Sequence, residues 1–444
     1  MPLRRIFAPF RAGSGLPAYL AGAAPWAWTP EADGAGEKLH DVNALPEFYG
    51  NNRFDAWTGA VVDQDRTEML RIANGGHFDG FENSGFGINF SHDAPRHVRL
   101  TTPSPTGGVG GVNALRPFPT YPNPDLFADG RVPAMHSGAE VQYQDGRVWW
   151  TAQSSTNGEG TAATASEGFN GNWHPPVALS WDRDAVGVGP IAVGDARFPR
   201  NYAQSDVWRV HGPTAATFIN QPGFGSSAAL PSRHRIYGFV GAHNSYRPYA
   251  IIDTTRGIDE GSRVTIATAN INIWPIWAVG CDDLDIVVTG SAPGDYTPTG
   301  TIHVMDPATG IFTIVNAPQN FVWGPMISSP PGAFIAATQP VYLKQGTKAY
   351  LLFYSPGQTD QTFIRWLRIP TTTSGAYDPA GAWVWGTQAV TGIDVTPMLE
   401  GKPNLSGLFG RFNIIRDLGG EPVLVCFPSE LHAVYLCRIG ELQP

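Results

Sequence analysis

Cysteine is nearly absent from this chain: there are three in 444 residues, Cys281, Cys426 and Cys437. Three thiols without close spacing make neither a disulfide framework nor a zinc pattern. Cys426 and Cys437 flank the last strand pair and could face each other across it, but the favoured reading is two buried reduced thiols, the usual state of a free cysteine in a core. Charge is scarce as well, at 15% of residues, and the balance is −9. No Lys/Arg cluster exceeds the pair Arg4-Arg5. The chain therefore lacks the basic face that neutralises phosphates, and nucleic acid is not an expected partner. No apolar run approaches the length that crosses a bilayer, so membrane insertion is not expected. The opening Arg4-Arg5-Ile6-Phe7 has the outline of a twin-arginine export signal, but Pro9, Arg11 and Pro17 interrupt the apolar region such a signal needs. Long stretches of 3.6-residue apolar periodicity are missing too, which argues against a helical fold.

What is present is turn and strand chemistry. Gly (52), Pro (39), Phe (23) and Trp (14) are abundant, a composition that suits many short strands joined by tight turns and disfavours helices. One unit recurs: a β-branched or aromatic strand, a polar Gly-rich loop, then a second strand often closed by Asp. Its copies pair Met69–Asn74 with Gly85–Phe90, Arg147–Ala152 with Val177–Asp182, and Arg235–Val240 with Tyr249–Asp253. Three more pair Asp285–Thr289 with Thr301–Asp306, Lys348–Tyr354 with Phe363–Ile369, and Pro422–Phe427 with Ala433–Ile439. The mean step between first strands is about 71 residues. A hairpin repeated at such a step predicts a closed repeat architecture, and for an all-β chain that is a β-propeller. Six hairpins predict six blades. Seven is the alternative, if the long loop Ser91–Pro133 hides another. Gln153–Pro176 and Asn220–Ser232 read as further long loops, of a composition suited to a contact surface.

The organisation reads as two parts. Residues 1–50 form an irregular N-terminal arm, a docking segment with Arg4, Arg5, Phe7, Phe10, Tyr19 and Trp26 as its contact residues. Residues 51–444 form the propeller. Part of the arm is expected to pair with the last blade, because an open ring would leave an exposed sheet edge.

The first hairpin carries more than spacing. Trp57-Thr58-Gly59-Ala60, followed by Met69-Leu70-Arg71-Ile72-Ala73-Asn74-Gly75-Gly76-His77-Phe78-Asp79, resembles a kelch-type repeat, whose strand ends in a Gly-Gly pair. The family includes galactose-oxidase-like proteins. The pair has decayed in the other blades, to Gly241-Ala242, Thr289-Gly290 and Ser355-Pro356. The opening Leu16-Pro17-Ala18-Tyr19, with Trp26, Trp57-Thr58-Gly59-Ala60 and the Gly75-Gly76-His77-Phe78-Asp79 loop, also resembles kelch-like propellers encoded by tailed bacteriophages and prophages. That resemblance implies a virion-associated structural and recognition protein, in the tail or as a capsid decoration. It would be non-enzymatic, part of a larger assembly, held to other virion proteins by its arm and touching host glycan or another virion protein through its loops. The alternative location is secreted or periplasmic, and the alternative function is a galactose-oxidase-like or glycan-active enzyme.

The residues lend the enzyme little support. A copper site of the galactose-oxidase kind needs two Tyr and two His, with one Tyr cross-linked to Cys, and none of the eleven histidines sits in a ligand pair. No metal and no cofactor is expected. Glu140, Glu159, Glu167, Asp206 and Asp295 lie in or near loops without the spacing of an acid–base pair. His77 with Asp79 is a candidate contact pair, although a loop His that positions its own turn is the plainer reading. Trp173, Tyr246, Tyr296 and Trp323 are the loop aromatics with faces for stacking on sugar rings. Trp149, Trp150, Trp277, Trp366 and Trp385 lie on or beside strands and read as core.

Overall fold

In a computed structural model the chain is all-β and propeller-like. The residues described are 15–30, 59–72, 85–90, 96–99, 141–150, 178–182, 208–211, 226–239, 248–257, 263–272, 275–291, 301–318, 321, 326–327, 334–335, 339–354, 362–392, 410–426 and 434–442.

A short helix, α1 (Ala18–Ala21), precedes β1 (Trp28–Pro30). The first sheet follows as β2 (Gly59–Asp63), β3 (Glu68–Ile72), β4 (Gly85–Asn89) and β5 (Arg96–Arg99). The second comprises β6 (Val141–Gln144), β7 (Arg147–Trp150), β8 (Ala178–Asp182) and β9 (Trp208–His211). The third comprises β10 (Ser226–Leu230), β11 (Arg235–Phe239), β12 (Pro248–Asp253) and β13 (Val264–Thr268). In the fourth are β14 (Pro275–Cys281), β15 (Ile286–Ser291), β16 (Thr301–Asp306) and β17 (Ile311–Asn316). A two-stranded pair, β18 (Met326–Ile327) and β19 (Phe334–Ile335), comes before the fifth sheet. That sheet is β20 (Val341–Gln345), β21 (Lys348–Phe353), β22 (Phe363–Ile369) and β23 (Val384–Ala389). The sixth is β24 (Phe412–Leu418), β25 (Glu421–Cys426) and β26 (Tyr435–Arg438), with β1 as its outermost strand.

All pairings between the named strands are antiparallel, and the six hairpins read from the sequence are the second and third strands of the six sheets. The first strands touch in a closed order: β2 beside β6, β6 beside β10, β10 beside β14, β14 beside β20, β20 beside β24, and β24 beside β2.

Local chemistry explains the turns. Asp145-Gly146 joins β6 to β7 with both φ positive, at 52° and 76°, the two-residue turn whose twist matches its flanking strands. Asp closes the third strand where a turn needs a cap. Asp253 Oδ1 accepts from Thr255 N at 2.8 Å, and Asp306 Oδ1 from Ala308 N at 2.8 Å.

Two expectations are corrected. Asn220–Ser232 is no structureless loop, for it contains β10. Ser226-Ser227-Ala228-Ala229 lacks β-branched and aromatic residues, so it does not read as a strand. It is a strand nonetheless, and β14 passes so near it that a Cβ on Gly280 would lie 1.9 Å from the Ala229 carbonyl oxygen. Ser91–Pro133 likewise contains β5, and no hairpin of its own among the described residues.

The core lies in the joints between sheets. Side chains on alternate positions face opposite neighbours. Ile302 and Val304 of the fourth sheet pack with Leu351 and Phe353 of the fifth, while Met305 packs with Tyr237, Phe239 and Tyr249 of the third. Trp149, Trp277 and Trp366 are buried as expected, and Trp385 is half-buried against the core. The side chain of Trp150 lies outside the described residues. Trp277 lies on Gly290 and Trp366 on Gly386, their cross-strand partners, where a Cβ would sit 2.2 Å and 2.3 Å from the ring. The three thiols are free and buried. Cys426 and Cys437 do not oppose each other, since Cys426 faces Tyr435 and Cys437 faces Leu424.

Candidate functional site

The expected contact residues divide sharply. Trp173, Tyr246, Tyr296, Trp323, His77 and Asp79, and with them Arg4, Arg5, Phe7 and Phe10, lie outside the described residues. Tyr19 and Trp26 are described, and both serve the chain's own closure. The Tyr19 hydroxyl donates to the Phe90 carbonyl of the first sheet at 3.1 Å. Leu20, fully buried on α1, fills the joint between the first and sixth sheets with Met69, Phe90, Ile415 and Val425. Trp26 and Trp28 enter the joint on the other side of the sixth sheet, with Tyr354, Trp366 and Phe412. Backbone bonds fix this clasp: Trp26 N–H donates to the Arg438 carbonyl at 2.9 Å, Thr391 N–H to the Trp26 carbonyl at 3.1 Å, and Trp28 N–H to the Thr391 carbonyl at 2.8 Å. The guanidinium of Arg438 holds the Ala23 carbonyl at 2.9 Å while paired with Glu421. Residues 15–30 thus plug both flanks of the sixth sheet.

At the end of the ring where first strands turn into second strands, polar side chains tie every sheet to its neighbour. Gln64 of the first sheet donates to the Ile414 carbonyl of the sixth at 2.7 Å and accepts from Arg416 N–H at 2.9 Å. Tyr143 of the second donates to Asp65 of the first at 3.4 Å and accepts from Arg66 at 3.2 Å. Ser232 of the third donates its N–H and hydroxyl to Asp282 of the fourth at 2.9 Å and 2.8 Å, and Arg233 pairs with Asp285 beside it. Lys344 of the fifth reaches Asp283 of the fourth at 2.8 Å. Gln345 of the fifth donates to the Gly440 carbonyl at 2.8 Å and accepts from Leu442 N–H at 3.2 Å.

The junction of the second and third sheets is the richest of these. Gln144 Nε2 donates to Thr254 Oγ1 at 2.6 Å, Thr254 donates onward to Asp145, and His234 Nδ1 lies 3.0 Å from both oxygens of that carboxylate. A carboxylate only accepts, so Nδ1 carries the proton of this half-exposed ring. Arg256 also donates to the Asp145 carbonyl at 3.0 Å.

The electrostatics match a structural belt. Burial pushes the Asp283 carboxyl up, but the Lys344 ammonium beside it holds the group below its ordinary value. The Arg233 bond lowers Asp285. Asp65 is raised, by burial first and by the nearby Asp63 charge second. The belt's non-glycine residues with positive φ, Thr67, Asp145, His234 and Asp285, occupy the same turns, so their backbone is explained by turn geometry rather than chemistry. Sequence reasoning missed Gln64, Asp145 and His234. Their available signal is position, in the turn that leads into the second strand of a sheet.

Because the first-to-second turns gather at one end, the second-to-third connections leave from the other, as do the connections between sheets. These include residues 73–84, 151–177, 240–247 and 292–300, which carry His77, Asp79, Trp173, Tyr246 and Tyr296. Among the described residues, no group of three His, Cys, Asp or Glu side chains is placed to hold a metal ion. Burial pushes all three thiols up, Cys437 to about 12, away from nucleophilic chemistry.

No family model matches the chain, and no curated protein matches it. Among solved structures it is similar to a GH74 enzyme of Niastella koreensis, with a TM-score of 0.36 and 9% identity over 75% of this chain and 38% of that one. It is also similar to the hydrazine synthase of Kuenenia stuttgartiensis, with a TM-score of 0.28 and 10% identity over 64% of this chain and 54% of that one. The chain spans about two fifths of the first protein and about half of the second. Likeness so loose transfers no chemistry.

Proposed function

We propose that the chain is a six-bladed β-propeller acting as a non-enzymatic structural and recognition module, part of a tailed-phage particle. The blade count is supported by the six four-stranded sheets and the closed order of their first strands. The observation that carries the recognition reading is the unlikeness of the two ends. One spends its polar side chains on stapling neighbouring sheets, and from the other leave the longer connections, with the aromatic residues suited to sugar faces. The virion assignment rests on the resemblance of the opening, Leu16–Tyr19 and Trp26 with the Gly75–Asp79 loop, to phage-encoded kelch-like propellers.

The test compares the ends. The purified chain is titrated against host cell-surface glycans and assayed for incorporation into particles. Trp173→Ala is expected to weaken glycan binding at unchanged melting temperature, and Asp145→Asn to lower the melting temperature at unchanged binding. Binding that survives Trp173→Ala and its loop counterparts Tyr246→Ala and Tyr296→Ala, but disappears in a folded Asp145→Asn variant, would reverse the assignment of the ends.

A further inference from the structure

The joint between the third and fourth sheets contains a polar pair that neither the turn belt nor the clasp uses. Across the fourth sheet, Ala278, Thr289, His303 and Ile314 stand opposite one another in a single row. His303 shares its face of β16 with Met305, and Thr289 shares its face of β15 with Val287, so both point toward the third sheet. They are almost completely buried, at 3% and 0% exposure. Neither the imidazole Nδ1 nor the Thr289 hydroxyl has a hydrogen-bond partner among the described residues.

Among the described residues, nothing around the pair offers a charge a partner. The side chains in this joint include Tyr237, Phe239 and Tyr249 from the third sheet and Met305 and Phe312 from the fourth. Phe312 meets Phe239 and Tyr249 edge-on, with ring centroids 6.2 Å and 5.6 Å apart. The titratable groups in it are the phenols of Tyr237 and Tyr249. The charges that act on Tyr237 are Arg235, Arg233 and Asp285, toward the turn end. None of these acts on His303, whose imidazole is pushed down to about 4 by burial alone. A proton on this ring would be an unpaired buried charge, which a protein relieves by exposing it to water or not binding it.

We propose that this joint is an acid-sensitive latch, in which protonation of His303 parts the third and fourth sheets. Its fastenings are known. At the turn end they are Ser232 with Asp282 and Arg233 with Asp285. At the outer strand the Asn270 amide donates to the Phe312 carbonyl at 3.0 Å and accepts from Phe312 N–H at 2.8 Å. Between them the contact is apolar, and water reaching His303 must separate it. The joint also has a consequence for the far end of the ring. Phe239 and Pro248 anchor the connection 240–247 on one side, and Ser291 and Thr301 anchor the connection 292–300 on the other. Opening would change the spacing between the anchors of the two connections that carry Tyr246 and Tyr296. The latch stands independently of what those connections bind.

Hydrogen exchange on the full chain tests this. Between about pH 7 and about pH 4, corrected for intrinsic exchange rates, β15 and β16 are expected to lose at least about tenfold more protection than β21 and β22 of the fifth sheet. His303→Gln, which keeps a polar side chain of similar reach but does not titrate, removes the excess. Thr289→Val, which keeps the shape and the imidazole, retains it. Parallel loss in both sheets overturns the latch. So does an excess that persists in His303→Gln, or one that vanishes in Thr289→Val. If His303→Gln does not fold, the Thr289→Val outcome and the ratio between the two sheets still decide.

Discussion

The fifth and sixth sheets reach the same four-stranded form by different routes. The fifth is one uninterrupted run from Val341 to Ala389. The sixth takes three strands from the C-terminal part of the chain and its outermost, β1, from residues 28–30. In the fifth, a two-residue turn at Gly346-Thr347 sets the register locally. No turn can set the register of β1 against β26, because about 400 residues separate them. Closing so long a loop costs on the order of 5 kcal/mol. What offsets it is visible. Two tryptophans, each burying roughly 200 Å² at about 25 cal/mol per Å², contribute about 10 kcal/mol before losses. The lesson is that a sheet assembled from both ends needs large side-chain anchors where a continuous one needs only turns.

The largest expected effect sharpens this contrast. Trp28→Ala and Trp366→Ala each remove a buried ring and should each lower stability by about 4 kcal/mol in urea unfolding. Their local consequences should differ. Exchange protection in β26 should collapse first in Trp28→Ala, whereas in Trp366→Ala it should fall together with the rest. Identical exchange patterns would mean that the clasp is as integral as any covalent strand.

Next is the continuous fourth sheet. His303 is held at about 4, against about 6.5 in the unfolded chain, so between those values the unfolded state binds the extra proton. Stability is therefore full above about pH 6.5, falls as pH drops toward about 4, and flattens below, a loss of about 3 kcal/mol at about 1.4 kcal/mol per unit. Urea unfolding across that window, with His303→Gln as reference, should show this slope in the wild type alone. A sixth-sheet variant such as Trp28→Ala should leave the slope intact, and its disappearance there would tie the two sheets together.

Substitution of glycines separates the two routes at smaller cost. Alanine at 386 presses on the Trp366 ring within the fifth sheet, and at 392 on the Trp28 carbonyl of the clasp, where a Cβ would lie 2.2 Å away. Each should cost about 2 kcal/mol. Gly392→Ala should be the worse, because φ is +87° there and the obstacle is backbone. A larger loss in Gly386→Ala would show that the clasp yields more readily than the ring.

Smaller still is Asp145→Asn, which weakens the bonds to His234 and Thr254 and should cost about 1 kcal/mol by thermal melting. The smallest effect is on reactivity. Cys437 lies opposite Trp28, so alkylation at neutral pH should find it inert in the wild type and reactive in Gly392→Ala. Cys281, on the fourth sheet, should stay protected in both. Equal labelling of the two would indicate global opening rather than release of the clasp.

The strand pairs were legible because second and third strands are covered on both faces and read as apolar runs, such as Lys348–Phe353 and Glu421–Cys426. The flanking strands were not. β10 is mostly Ser and Ala, which carry no strand signal, and β13 (Val264–Thr268) is half solvated. Of the candidate site, the aromatic connections could be named from composition, while the belt residues Gln64, Asp145 and His234 could not. Each of them is an ordinary turn residue until another sheet's turn is placed beside it.

By itself, then, the sequence determined the element type, the sixfold hairpin repeat and the need to close a sheet edge. These depend on alternation, turn residues and backbone hydrogen bonding, all local in the chain. Only the tertiary structure decided that Trp26 and Trp28 serve the chain's own closure, which sheets share a joint, and that the His303 Nδ1 stands in one without a hydrogen-bond partner among the described residues. Those facts join residues far apart in sequence, and no local pattern encodes which distant neighbour a side chain will meet.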